Sequence, residues 1–167
     1  MVRPDTFLEM WKDAREDGAQ AVEDMPAGKL DFRPQDDLMS FRSIATHIID
    51  VGRGLTALLL DGTTDFTQPG FRERLAQYLK PLAPDADGQT IAAEMRAAIE
   101  EGCARLAGQP PEFFAGMVAK WDGLRLTRLE MLQFIKEHEL AHRMQLFMYL
   151  RMNGVTPPTT RRKLARK

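Results

Sequence analysis

The sequence predicts an all-α protein, a bundle of four long helices. Three observations carry that expectation. Four separate segments place apolar residues at intervals of three and four, the period of a helix with one buried face. Two of them open on a Thr-x-x-Glu capping box, at Thr6–Glu9 and at Thr127–Glu130. All four close on glycine or proline: Pro26, Gly62, Gly108 and Gly154.

The first helix starts at Thr6, carries the stripe Phe7, Trp11, Ala14, Gly18, Ala21, Val22 and Met25, and stops at Pro26. The second starts near Ser40, an N-cap residue, and buries Ile44, Ile48, Val51, Leu55 and Leu58 before Asp61-Gly62. Residues 62–89 are rich in Gly, Pro, Thr and Asp; they read as a long connection with a short helix around Phe71 to Leu79. The third long helix runs from about Thr90 to Ala107 with Ile91, Met95, Ala98, Ile99, Gly102 and Leu106 on one face. A segment with an Asp122-Gly123 turn signal follows, read as a short hairpin or an extended loop. The fourth and longest helix runs from Thr127 to Asn153-Gly154. A single domain over residues 1–156 is expected, with residues 157–167 as a flexible basic tail ending in five positive charges.

Composition narrows the function classes. A chain of 167 residues, 44% hydrophobic and 28% charged, is long enough to bury a real core. A net charge of −1 gives no overall attraction to nucleic acid or anionic membranes. The most hydrophobic stretch, Leu55 to Leu60, is far too short to span a bilayer. With Cys103 as the one cysteine, no internal disulfide forms, which is compatible with a cytoplasmic location. Cys103 itself reads as a small buried hydrophobe, and the ten methionines as adaptable core filler. Trp121 and the pair Phe113-Phe114 read as packing for the segment before the fourth helix.

The chemistry lies in three histidines, His47, His138 and His142. The last two belong to His138-Glu139-Leu140-Ala141-His142, which spells the H-E-x-x-H signature of zinc peptidases. On a helix they stand about 40° apart and one turn above each other, the spacing at which two imidazoles hold one metal ion. They interrupt the stripe Met131, Phe134, Ile135, Leu146, Tyr149, while His47 interrupts the inward stripe of the second helix beside Ile48. A divalent metal held by all three is the expected site, with zinc first and nickel, iron or manganese as alternatives. A peptidase needs a third ligand after the motif, and the chain beyond His142 contains no Asp, Glu or His. Glu139 and Gln145, each within a turn of a ligand, are candidates for orienting the histidines.

Two stretches, "LDFRPQDDLMSFRSIATHIIDV" and "HELAHRMQLFMYLRMNGVTPP", resemble the DinB/YfiT family of metal-binding helical bundles. His47, His138 and His142 fall on that family's three ligand positions, and Arg143, Gln145 and Leu146 match its surrounding motif. Met144 departs from it, standing where the family often has glycine. The resemblance implies an up-down-down-up bundle, a divalent ion on three histidines and often a homodimer. It also implies thiol-dependent S-transfer or isomerisation for the members with assigned activity; the family name is no evidence of DNA chemistry, and no nucleic-acid partner is expected. Three imidazoles leave the remaining metal positions open, as in catalytic sites. A thiol activated there would attack an electrophile. Two further readings are a metal-binding interaction protein without turnover and a metal-dependent hydrolase. Leu140, Met144 and Phe147 form a second apolar line on the fourth helix. A second subunit or the segment 109–126 is expected to cover it.

Overall fold

A computed structural model describes residues 3–166. Four long helices are present, α1 (Pro4–Asp24), α2 (Phe41–Leu60), α4 (Gly88–Ala107) and α6 (Arg128–Met152). Between them lie the short helices α3 (Phe71–Ala76) and α5 (Pro111–Ala115) and a hairpin of β1 (Met117–Ala119) and β2 (Arg125–Thr127). A last helix, α7 (Pro158–Leu164), follows α6.

Most helix starts obey their sequence signals. Ser40 Oγ accepts from the Ser43 amide, and the Thr127–Glu130 capping box closes in both directions. The first box does not form. Pro4 occupies the first turn of α1, where its missing N–H and fixed φ cost nothing, so the helix begins before Thr6. Thr6 Oγ1 instead accepts from the Arg3 guanidinium at 2.7 Å. α4 starts at Gly88, ahead of Thr90, because Asp87 caps it by accepting from the Thr90 amide at 2.8 Å.

Cross-helix contacts give the directions. Phe7, Trp11 and Asp17 of α1 meet Lys136, Glu139 and Arg143 of α6 in that order, so these two helices run parallel. Leu8, Lys12 and Glu16 meet Cys103, Glu100 and Arg96, so α4 runs against α1. Arg42 bonds Ala86 just before α4, Arg53 pairs with Glu94, and Thr56 lies by Gly102; α2 therefore runs with α4. The order is up, down, down, up, with α1 and α2 each packed on both α4 and α6. α2 is long and apolar enough for a membrane span, yet most of it is buried inside the bundle.

The core comes in two parts. One gathers Val22, Phe41, Ile44, Met95, Leu146 and Leu150. The other gathers Phe7, Trp11, Leu55, Leu58, Leu106 and Ile135. Between them runs a charged layer: the Arg15 guanidinium donates to both Glu139 oxygens at 2.6 and 2.8 Å, and to the carbonyls of Met95 and Ile48. Gly52 makes room for it, since a Cβ there would stand 2.8 Å from Arg15 Nη2.

The long connection after α2 is tied to the hairpin, where the Phe66 amide donates to the Ala119 carbonyl and the Ala119 amide to the Thr64 carbonyl, both at 2.8 Å. In place of a flexible tail, residues 158–164 form α7 against α1, with Pro157 and Pro158 buried, Arg161 paired with Asp24 and Arg162 with Asp17.

Candidate metal centre

His47 on α2 and His138 and His142 on α6 converge across the α2–α6 seam. His138 Nε2 stands 3.3 Å from His47 Nε2 and 3.1 Å from His142 Nε2. The three ligand atoms all lie within 4.8 Å of one another. Nitrogens about 2.0–2.1 Å from a tetrahedral zinc ion would stand about 3.3 Å apart. The two separations from His138 match that value, and the remaining pair, within 4.8 Å, would close to about 4 Å or less on one shared divalent ion.

Proton accounting gives the same answer. His138 Nε2 faces two other ring nitrogens. Carrying a proton, it can donate to one and confronts the other as a non-acceptor; without a proton, it needs both neighbours to donate to a single lone pair. A cation facing three lone pairs removes the conflict. The His142 tautomer is already set for this, because Nδ1–H donates to Gln145 Oε1 at 2.7 Å and leaves Nε2 free. Burial, reinforced by the neighbouring imidazoles, pushes His138 down to about 4. Burial and then His142 lower His47 as well. Both rings are therefore held in the neutral, ligating form at neutral pH.

The rings are half-buried, at the border of the core. The stripe of apolar residues running through His138 and His142 marks only one edge of the buried arc of α6. That arc also includes Leu132, Lys136, Phe147 and Leu150, and its middle is Glu139. Glu139 is consequently 3% exposed and turned toward α1, where Trp11 Nε1 donates to it at 2.7 Å beside Arg15. It is an inter-helix charge, and it reaches the site only through the backbone it shares with His138. Of the two candidate orienting residues, Gln145 touches a histidine and Glu139 does not.

Reading the sequence alone missed Arg15. Its signal was present: a charged residue four positions after Trp11, on the inward stripe. Cys103 is buried in the α1–α4 seam with Sγ 4.0 Å from the Leu8 carbonyl, and it takes no part in the histidine cluster. Burial pushes its thiol up to about 12. Trp121 packs edge-on to Phe134 with ring centres 5.4 Å apart, one turn before His138.

The fold and site define a class: four-helix bundles in which three histidines on two helices form a candidate divalent-metal centre. A DinB family model matches residues 1–166, and this chain belongs to the DinB family. Two solved structures share its architecture. YfiT from Bacillus subtilis, described as a probable metal-dependent hydrolase with an unusual four-helix bundle topology, aligns with TM-score 0.72 and 18% identity over 93% of this chain and 92% of its own. A DinB-like protein, YjoA, also from Bacillus subtilis, aligns with TM-score 0.70 and 19% identity over 90% and 94%. No curated protein matches the chain.

Proposed function

We propose that this protein is a divalent-metal-dependent thiol S-transferase, with zinc the first candidate ion. The observation that supports this reading is the convergence of three imidazole rings at the half-exposed α2–α6 seam, with His138 Nε2 at 3.1 and 3.3 Å from the Nε2 atoms of His142 and His47. A divalent ion bound there would act as a Lewis acid on a thiol or water. His47, His138 and His142 would hold it, and Gln145 fixes the ring of His142. No carboxylate is hydrogen-bonded to any of the three rings among the described residues, and Glu139 is committed to Arg15 and Trp11. The site thus offers no general base of the peptidase kind. That favours chemistry in which the metal alone suffices to generate the nucleophile, as it does for a thiol.

Hydrolysis is the second reading, favoured by the likeness to YfiT, which is described as a probable metal-dependent hydrolase. One experiment separates the two. The purified chain is loaded with zinc, nickel or ferrous iron. It is then assayed on electrophiles with glutathione, mycothiol or bacillithiol, and on activated esters and amides without thiol. Conjugation that disappears in His47→Ala supports S-transfer. Thiol-independent cleavage lost in the same variant supports the hydrolase. Stoichiometric metal without turnover would make this a binding protein.

The proposal includes a homodimer. Met144, Met148 and Met152 form an exposed line at every fourth position of α6, each about half exposed (50%, 48% and 55%). The hairpin packs on α6 at its other end and leaves this line open, so we assign it to a second copy.

A further inference from the structure

We propose that a cavity on the face of α2 opposite His47 binds a small carboxylate with an apolar body. The cavity measures about 190 Å³ and lies between α2 and α4 under a roof formed by residues 77–80. Thr56, on its wall, is nine residues from His47, hence about 180° round the helix. The two sites are back to back and share no lining residue.

The evidence for a ligand is a set of buried donors without acceptors. The Arg53 side chain is 8% exposed, and Glu94 engages only its Nη2. Its Nε and Nη1, and Oγ1 of Thr56, have no partner among the described residues. Thr56 is 4% exposed. Both residues line the cavity. Such atoms favour an oxygen-bearing ligand, because a buried donor left unpaired keeps the full cost of losing its water.

Charge selects the ligand's head. Arg15, Arg53, Lys80 and Arg105 line the cavity against one carboxylate, Glu101. Arg15 is already engaged by Glu139 and by the carbonyls of Met95 and Ile48, while Lys80 and Arg105 stand at the exposed mouth in loose pairs with Glu101 and Asp61, at 3.2 and 3.4 Å. Arginine only donates, so the incoming group must accept. A carboxylate, with two oxygens and about four lone-pair sites, can serve a guanidinium N–H and a hydroxyl together.

The body of the ligand is set by size and by the remaining walls. Trp11, Ala57, Leu60, Leu79, Ala98 and Ile99 are apolar. A cavity of about 150 Å³ is enough for benzene, so this one accommodates a benzoate-sized molecule. Gly102 completes the wall opposite Thr56. A Cβ there would meet only Thr56 Cγ2, at an ordinary 3.7 Å. Helix packing therefore does not require glycine at this place, though alanine would favour the helix more. Keeping the cavity open accounts for it.

The test is a titration of the isotope-labelled, zinc-loaded full chain with benzoate, followed by amide NMR shifts, with toluene and benzylamine as comparison ligands. Saturable benzoate shifts are expected at residues 52–57 and 98–103, with toluene and benzylamine at least about tenfold weaker. Gly102→Leu fills the space and abolishes binding; Thr56→Val weakens it about tenfold while preserving shape. Thermal unfolding of both variants checks the fold, and Thr56→Val alone decides if Gly102→Leu is unfolded. Shifts confined to the surroundings of His47, His138 and His142 would overturn the proposal. So would equal affinity for toluene, preference for benzylamine, or no saturable shift at all.

Discussion

Among the described residues, Gln145 is the one side chain hydrogen-bonded to a histidine of the cluster from outside it. Replacing it with leucine should leave the fold intact but release the His142 ring, weakening zinc about 10- to 100-fold in competition titrations. His47→Ala should do more, because it removes the only ligand from α2. Arg15 and Glu139 make a different prediction. Both side chains are almost fully buried, at 1% and 4% exposure, so Glu139→Leu alone leaves a buried guanidinium unpaired and should cost about 3–5 kcal/mol in urea unfolding. Arg15→Met with Glu139→Leu should recover much of that loss. Cys103, raised by burial, should resist iodoacetamide at pH 8 in the folded protein and react only on unfolding.

At the scale of elements, α6 shows what could be read from sequence and what could not. The 138–142 spacing on one helix and the single histidine on α2 were enough to identify the three converging rings, because helical geometry fixes the first and the inward stripe the second. The depth of each residue was not readable. A stripe traced through i+3 and i+4 gives one line along a helix, whereas the buried arc depends on how many neighbours pack on it. α6 packs on both α1 and α2, so its buried arc extends past the histidines to Glu139 and Phe147. The same limit hid the start of α1, where Pro4 displaces the Thr6 box, and the docking of α7, whose anchors Asp17 and Asp24 are more than a hundred residues away in the chain. The seam between α2 and α6 should also respond to acid. A histidine whose pKa is lowered by folding disfavours the proton in the native state. The metal-free protein should hold its stability above about pH 6.5, the ordinary histidine value, and lose it as pH falls toward about 4, the value for His138. His138→Gln should flatten that part of the profile in thermal melts.

For the whole molecule, a ligand shared by two helices acts on global stability. Zinc at about a hundred times its dissociation constant should add about 2.7 kcal/mol, and a chelator should remove it. The gain should vanish in His47→Ala, where α2 no longer contributes. On the proposed homodimer, Met148→Glu should shift sedimentation toward the monomer without changing zinc stoichiometry.

The parallel run of α1 and α6 also limits how the chain can be rewired. In a bundle whose outer helices alternate in direction, a tight turn can join the two ends. Here Arg162 in α7 meets Asp17, about 20 Å up α1 from Pro4. A circularly permuted version therefore needs a bridge of at least about six extended residues, and a two-residue splice should unravel one end.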